Sequence, residues 1–250
     1  MASRAGVSVI EAFVATADRQ RLFLRYWRPP DVRAVVAAVH GPGADGTRFS
    51  GLAGTLAAHG VATCAIDLRG CGRSSGTRRR AGAIAAQLTD VAAMMATVGQ
   101  RDPGQPVFML GHGFGAMLAC RYALRHASGP GGIICEGIAL EAGGHDLPER
   151  IAAALLRFGR RLYEPLDRLQ APLLLLHGSE DAMAPLAASE YLHRCAASSD
   201  RTLQVFEGHG HELINGPGHA LVRDKACQWI AGRLDAGRRH HHIGIEYINE

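Results

Sequence analysis

Short apolar runs alternate with segments of helical periodicity along most of the chain, and this alternation limits what the chain can fold into. Ala34–Val39 is apolar throughout, and Val61–Ile66 is apolar except for Thr63; between them Phe49, Leu52 and Leu56 recur at helical spacing. Apolar runs of this length are typical of strands buried on both faces. The pattern therefore predicts an α/β protein whose central, mostly parallel sheet is covered by helices on both sides.

The same reasoning assigns most of the remaining chain to one domain, residues 1–250. Residues 8–28 are predicted as a leading hairpin, further strands at about 106–110, 137–141, 172–176 and 203–206, and helices at 84–95, 115–126 and 220–234. Residues 235–250, which include His240, His241 and His242, match no element of this pattern. The tail is therefore given no role.

Composition excludes several classes of protein. The formal charge of the 250-residue chain is only +4, and its basic residues cluster only at 78–80 and 238–239, which is no continuous nucleic-acid footprint. None of the six cysteines forms a C-x-x-C pair. No segment approaches the roughly 18 apolar residues of a spanning helix, and no signal peptide precedes the first strand, so we expect a cytoplasmic location.

One turn carries the strongest functional signal. The predicted strand at 106–110 runs into Gly111-His112-Gly113-Phe114-Gly115, and a helix follows. This spacing matches G-x-S-x-G, the sharp strand-to-helix turn that exposes a nucleophilic serine. Here glycine occupies the nucleophile position, so the turn is retained but no covalent intermediate can form on residue 113. A glycine turn used only for packing is the alternative interpretation.

Two later segments favour the functional interpretation. A four-leucine run leads into His177-Gly178-Ser179-Glu180-Asp181, and the last predicted strand leads into Gly208-His209-Gly210-His211. An acid and then a histidine therefore follow the nucleophile position, which is the order of an α/β-hydrolase triad.

With these motifs, the chain resembles the lysophospholipase and monoacylglycerol lipase branch of the α/β-hydrolases from about residue 12 to about 234. The matching segments are residues 24–27, 40–41, 67–74, 111–115, 177–181 and 211–213, with Asn215. The resemblance implies an eight-stranded, mostly parallel sheet flanked by helices, with a short cap at about 143–168. It also implies that Asp181 orients His211, and that His211 would deprotonate a nucleophile at position 113.

The resemblance also places an oxyanion-binding turn next to the elbow, and here the chain departs from the family again. Gly41 and His112 would line the pocket, but the residue that usually donates a backbone N–H is Pro42, which has none. The N–H of Phe114 remains, with a shifted contribution from Gly43 as a further option.

Other candidate groups are weaker. Cys71 stands where the family commonly has histidine and is considered as a substitute nucleophile, ahead of Cys120 and Cys135. His209 and His211 could bind a metal with His40 or His112 as third ligand, but no carboxylate or thiolate completes a familiar spacing, so neither a metal nor another cofactor is expected. Glu141, at the end of a predicted strand, is a possible second acid.

The cap segment also contributes to the expected pocket. Its apolar residues are Ile151, Leu155, Leu156, Phe158 and Leu162, and its basic residues are Arg157, Arg160 and Arg161. The apolar residues favour a small, largely apolar or acyl substrate. Solvated charge explains the arginines better than an anionic head group does.

Three functions remain open at this point. The first, ranked slightly ahead, is a non-canonical enzyme of lyase, dehydratase or cyclase type that uses the His211–Asp181 pair for acid-base chemistry. The second is a carboxylic-ester hydrolase, weakened because Gly113 replaces serine or working through a water activated by His211. The third is a ligand-binding pseudoenzyme. The sequence does not indicate an oligomeric state.

Overall fold

The computed structural model describes residues 6–77, 84–126, 129–139, 166–234 and 241–249. The strands are β1 (Ser8–Ala15), β2 (Arg21–Arg28), β3 (Ala34–Val39), β4 (Val61–Ile66), β5 (Val107–His112), β6 (Gly132–Glu136), β7 (Leu173–Gly178), β8 (Asp200–Phe206) and β9 (His242–Ile248). The α-helices are α1 (Ser50–Ala57), α2 (Ile84–Arg101), α3 (Phe114–Ala123), α4 (Leu186–Cys195) and α5 (His219–Leu234). Short 3-10 helices span Gly46–Phe49 and Leu166–Arg168.

The described strands form one sheet in the order β1-β2-β4-β3-β5-β6-β7-β8-β9. β2 runs antiparallel to both of its neighbours, β1 and β4, and all other pairs are parallel. The predicted leading hairpin and the mostly parallel sheet are therefore confirmed. Because the parallel strands share a direction, the loops after β3, β5, β6, β7 and β8 leave the sheet at one edge, where the predicted site residues lie.

Each face of the sheet packs against a separate helical layer. One apolar core joins the sheet to α2, α3 and α4, through buried residues such as Val91, Met117 and Leu192. The other joins it to α1 and α5, through residues such as Leu56 and Trp229. Of the described helices, none is both long and apolar enough to cross a bilayer.

The prediction of a strand at 137–141 is wrong in its position. The structure puts β6 at Gly132–Glu136, with Phe108 pairing Gly132 and His112 pairing Glu136. Both segments consist of a glycine, three apolar residues and a glutamate, so the local pattern does not show which of them is the strand. The pairing with β5 on one side and β7 on the other decides for residues 132–136. Glu141, the proposed second acid, lies outside the described residues.

The C-terminal tail also differs from the prediction. His242–Ile248 adds a ninth strand, parallel to β8, whereas the prediction was eight strands and no element in the tail. Ile248 packs against the core on the α5 side, and the Glu207 N–H donates to its carbonyl. Most of the predicted cap lies outside the described residues, as do the arginine clusters at 78–80 and 238–239.

Candidate active site

The glycine turn at residues 111–115, here called the elbow, has the geometry that its sequence predicts. Gly113 has φ 54° and ψ −114° and stands directly between β5 and α3. A Cβ on Gly111 would overlap Ala116, and one on Gly115 would overlap the carbonyl of Val39. The flanking glycines therefore let α3 turn back closely over the sheet, and residue 113 adopts a positive φ that glycine tolerates.

The predicted acid and histidine lie together. His211 Nδ1 is 2.7 Å from Asp181 Oδ2, and the Asp181 side chain is 1% exposed while that of His211 is 17% exposed. When the imidazole is neutral, the carboxylate holds the proton on Nδ1 and leaves Nε2 as an acceptor. The partly exposed ring thus presents a basic nitrogen.

Asp181 is held by more than His211. Its Oδ1 accepts the backbone N–H groups of Met183 and Ala184, each at 2.8 Å. Burial acts to raise the pKa of this carboxyl, but the hydrogen bonds from His211 and Ala184 outweigh it and the pKa is lowered. Asp181 is therefore an anion with a fixed orientation at neutral pH.

Behind Asp181, His177 is fully buried in β7. Its Nε2 lies 2.9 Å from the Ala184 carbonyl and 3.5 Å from Asp181 Oδ2, and its Nδ1 lies 2.7 Å from Ser189 Oγ. Burial lowers the pKa of His177, so the ring is neutral, donates from Nε2 and accepts from Ser189. It supports the acid without adding charge to the site.

The basic nitrogen of His211 faces the position where a serine would stand. A Cβ built on Gly113 lies 3.5 Å from His211 Nε2 and 3.8 Å from its Cε1. The neighbouring Gly137 has φ +53°, and a Cβ there would lie 2.9 Å from His211 Nδ1 and 3.3 Å from Asp181 Oδ2. The histidine therefore sits over the elbow only because residue 137 is a glycine.

The turn after β3 lies beside the elbow. A Cβ on Gly41 would be 3.3 Å from the His112 carbonyl and 3.9 Å from the Phe114 nitrogen. Pro42 and Gly43 are exposed, and the Ala44 N–H closes the turn on the Gly41 carbonyl at 3.4 Å. The structure thus brings the predicted oxyanion residues together, and the one at position 42 has no N–H to donate.

Sequence reasoning missed one buried group in this region, Glu136 at the end of β6. Its side chain is fully buried, with Oε1 accepting the Ile214 N–H at 2.9 Å and Oε2 lying 3.1 Å from His112 Nδ1. Burial acts to raise the pKa of Glu136, but the charge contacts with His112 and Arg48 prevail and lower it to about 2. A correct boundary for β6 would have placed this acid at the same sheet edge as Asp181.

The histidines considered as metal ligands make other contacts. His40 donates from Nδ1 towards the Gly41 carbonyl at 2.6 Å and accepts the Leu68 N–H at Nε2, so backbone groups occupy both ring nitrogens. His209 Nδ1 lies 2.9 Å from the Glu207 carbonyl. Within the described ranges, no three His, Cys, Asp or Glu side chains are grouped so that they could hold a metal ion.

The cysteines divide by environment. Cys120 and Cys135 are fully buried with their Sγ atoms 3.6 Å apart, and this contact together with burial raises the pKa of Cys135 well above its ordinary value. The burial of both thiols makes them unsuited to nucleophilic chemistry. Cys71 is partly exposed, in a turn where its N–H donates to Leu68 and its carbonyl accepts from Ser74. Its role as a substitute nucleophile stays a prediction.

Comparison with known proteins supports the resemblance inferred from the motifs. The family model described as serine aminopeptidase, S33, matches residues 30–149 and 141–218. The chain is 28% identical to a monoacylglycerol lipase of Mycolicibacterium smegmatis over 86% of this chain and 94% of the relative. It is 26% identical to the human monoglyceride lipase over 80% and 82% of the respective chains.

Solved structures show the same fold. The monoacylglycerol lipase of Paleococcus ferrophilus superposes with a TM-score of 0.72 at 19% identity, covering 90% of this chain and 99% of that one. At this identity the likeness concerns the fold alone. The α/β-hydrolase architecture predicted from the motifs is therefore confirmed.

Proposed function

Because the chain belongs to the serine aminopeptidase, S33, family of α/β-hydrolases, we propose that it is a carboxylic-ester hydrolase for small, largely apolar acyl substrates. In this proposal His211 activates a water molecule directly, and no acyl-enzyme forms. The relatives named above are monoacylglycerol and monoglyceride lipases, so acylglycerol-like esters are the first substrates to test. The proposal thus takes up the hydrolase hypothesis in its water-activated form.

One observation carries the proposal: an intact base faces a position without a nucleophile. A serine Cβ at residue 113 would lie 3.5 Å from His211 Nε2, so its hydroxyl would project into the space in front of that nitrogen. A water molecule has about the size of that hydroxyl and offers the same O–H donor to Nε2. The 2.7 Å contact with Asp181 keeps the ring oriented while it takes up the proton.

The reaction then has two proton transfers and no covalent protein intermediate. The water oxygen attacks the ester carbonyl carbon as its proton moves to His211 Nε2, which gives a tetrahedral oxyanion. This intermediate collapses with cleavage of the bond to the alcohol oxygen, and the imidazolium returns the proton to that leaving group. The products are a carboxylic acid and an alcohol, and His211 ends neutral.

The oxyanion side explains why this hydrolysis would be slow. Phe114 is the first residue of α3, so its N–H points from a helix N-terminus where partial positive charge favours an anion. Pro42 contributes no N–H, and one missing donor costs about 10²- to 10³-fold in kcat in acyl-transfer enzymes. We therefore expect turnover well below that of a complete serine site.

The missing donor also favours a second candidate function. Lyase, dehydratase or cyclase chemistry at His211 needs a positioned base but no oxyanion hole of the acyl-transfer kind, so the defect at Pro42 would cost it less. This was the first-ranked function from the sequence alone. The relatives named above are lipases, which now ranks ester hydrolysis ahead of it and of the ligand-binding pseudoenzyme.

The test uses p-nitrophenyl esters of short and long acyl chains, a fluorophosphonate probe and intact-protein mass measurement after an acid quench. We expect slow turnover by the wild type with neither acyl adduct nor probe labelling, and loss of turnover in His211→Ala. Replacing an exposed histidine, His59→Ala, should leave turnover unchanged. Gly113→Ser should become labelled.

Two results would contradict the proposal. If the wild type hydrolyses no ester faster than His211→Ala does, His211 does not catalyse ester hydrolysis, and elimination and cyclisation assays should follow. If an acyl adduct accumulates on the wild type, another side chain is the nucleophile, and the peptide that contains Cys71 is the first to examine.

A further inference from the structure

A second histidine-carboxylate contact lies directly against the first. His112 and Glu136 are the last residues of β5 and β6 and are paired in the sheet register. His112 Nδ1 is 3.1 Å from Glu136 Oε2, and the rings of His112 and His211 pack with their centroids 4.5 Å apart. Neither His112 nor Glu136 belongs to the acid-histidine pair of the proposed mechanism, which is Asp181 and His211.

Glu136 is bound to both halves of the site. Its carbonyl accepts the N–H of Gly113 at 2.8 Å, which fixes the elbow to the end of β6. Its carboxylate accepts the N–H of Ile214 at 2.9 Å, in the histidine loop, defined here as residues 211–215. A single residue thus connects the turn at position 113 with the loop that carries His211.

Arg48 reinforces this connection through charge. Its guanidinium lies 3.6 Å from Glu136 Oε2 and donates to Glu212 at 3.0 and 3.3 Å, and Glu212 directly follows His211. Glu212 Oε1 is also 3.5 Å from His112 Nε2. The histidine loop is therefore bound at two residues. Glu212 binds Arg48, which lies against the Glu136 carboxylate, and the Ile214 N–H binds that carboxylate directly.

The contacts of Glu136 lie away from water. Its side chain is 0% exposed and those of His112 and Arg48 are 6% and 11% exposed, so water screens their charges poorly. A buried carboxylate leaves its partners without compensation when it is removed, and the backbone N–H of Ile214 would also lose its acceptor. Loss of Glu136 would therefore loosen the loop rather than only the sheet.

We infer that Glu136 is a positioning residue, which holds the histidine loop so that His211 Nε2 stays over residue 113. The inference rests on the proposed function only in treating His211 as the working base. Glu136 reaches no substrate from its buried place, and it acts through Ile214, Arg48 and His112. We therefore expect a change at Glu136 to make the His211 ring less ordered and to lower kcat, with little effect on KM.

The experiment measures the His211 ring directly. In protein with ¹⁵N-labelled histidines, the Nδ1–H that binds Asp181 should give a downfield proton signal that exchanges slowly with water. We expect Glu136→Leu to speed this exchange about tenfold, since it removes the acceptor for Ile214 and the partner for Arg48. Glu136→Gln keeps an oxygen for Ile214 and should stay closer to the wild type.

Two further variants separate positioning from general loss of stability. Val98→Ala shortens a buried side chain in α2, away from the site, and so lowers stability without touching the histidine loop. It should leave the exchange of the His211 proton unchanged. Arg48→Met cuts the contacts to Glu136 and Glu212 without altering a strand, and it should speed the exchange even if Glu136→Leu does not fold.

The outcomes of this experiment and of the ester assays are distinguishable. Faster exchange in the Glu136 and Arg48 variants supports the inference even if no ester is hydrolysed. Exchange equal to that of Val98→Ala in both variants overturns it, even if ester turnover proves to depend on His211. Where turnover is measurable, a fall in kcat with KM unchanged is expected for Glu136→Leu, and a rise in KM alone would also contradict the inference.

Discussion

The two sides of the candidate site differ in what they retain. On the nucleophile side, Gly113 supplies the turn without a hydroxyl, and Pro42 supplies a turn without an N–H. On the acid-base side, Asp181 has a partner for each oxygen, and Gly137 leaves room for His211. The side that forms and stabilises an acyl-enzyme is incomplete, while the side that moves a proton is complete. This contrast favours a reaction in which the protein provides a base.

The contrast is sharpest in Asp181→Asn. The variant keeps an oxygen for the N–H groups of Met183 and Ala184, but it removes the charge that holds the proton on His211 Nδ1. We expect kcat for ester hydrolysis to fall by about 10²- to 10⁴-fold, because a misoriented imidazole no longer serves as general base.

The matched control for this variant is Asp31→Asn, at an exposed carboxylate after β2, which should leave kcat unchanged. A fall of less than about threefold in Asp181→Asn would mean that general base catalysis, normally worth 10² or more, is not supplied by this pair. The acid-base side would then be a structural remnant.

The nucleophile side is tested by restoring both missing groups. In Gly113→Ser the backbone of a non-glycine residue must adopt a positive φ, at a cost of about 1–3 kcal/mol of stability, but the new hydroxyl faces His211. Adding Pro42→Ala returns a backbone N–H. We expect the second-order rate of fluorophosphonate labelling to rise by about 10²- to 10³-fold from the single to the double variant.

Pro103→Ala, in an exposed turn after α2, is the control for the proline change and should add nothing to Gly113→Ser. Equal labelling of the single and double variants would show that residue 42 does not take part in oxyanion binding. The nucleophile side would then lack only its hydroxyl.

Gly137→Ala tests the acid-base side by placing a methyl group beside His211. Its φ is +53°, and the new methyl group would lie 2.9 Å from His211 Nδ1 and 3.3 Å from Asp181 Oδ2. We expect turnover to fall by up to about 10²-fold, because a shift of about 1 Å in a catalytic group has that effect. Thermal unfolding should show a loss of about 1–3 kcal/mol from backbone strain.

Gly208→Ala separates strain from displacement. Gly208 has φ +72°, but a Cβ there meets nothing within 4 Å. It should lose similar stability and keep its turnover. If both variants lose turnover equally, the effect of Gly137→Ala comes from backbone strain and says nothing about His211.

The sequence predicted the parts of the fold that depend on local pattern. Apolar runs such as Ala34–Val39 and the elbow Gly111–Gly115 have a period or a motif of their own, and the structure places them as expected. β9 was also within reach, since Ile243, Ile245 and Tyr247 alternate with other residues as in a strand. It was missed because the segment follows the closing helix and matches no element of the predicted core.

The error at β6 has a different cause. Gly132–Glu136 and residues 137–141 carry the same pattern, so the choice depends on pairing with β5 and β7, which are distant in sequence. Because of the same error, Glu141 rather than Glu136 was predicted as the acid at the end of this strand. In the site, residue order was enough to predict the neighbours Asp181 and His211, whereas contacts made across three loops by Glu136 had no local signal.

The smallest expected effect concerns the pH dependence of stability and the support of the acid-base side. His112, Arg48 and Arg223 face Glu136 as cations or potential cations, and Glu212 contacts His112 and Arg48 rather than Glu136. The pKa of Glu136 is lowered from 4.5 to about 2 in the folded protein. Between these values the unfolded chain binds a proton that the folded protein does not, so stability falls as pH falls, and the effect ends below about pH 2.

Glu136→Gln has no such proton. Its free energy of unfolding, measured by urea titration at several pH values, should therefore decline less steeply than that of the wild type between about pH 4.5 and 2, by up to about 1.4 kcal/mol per pH unit. The other lowered carboxyls, such as Asp181, act equally in both proteins and cancel in the difference. Parallel curves would mean that Glu136 is not an anion in the fold, and the charge contacts with Arg48 and His112 would then not hold the histidine loop.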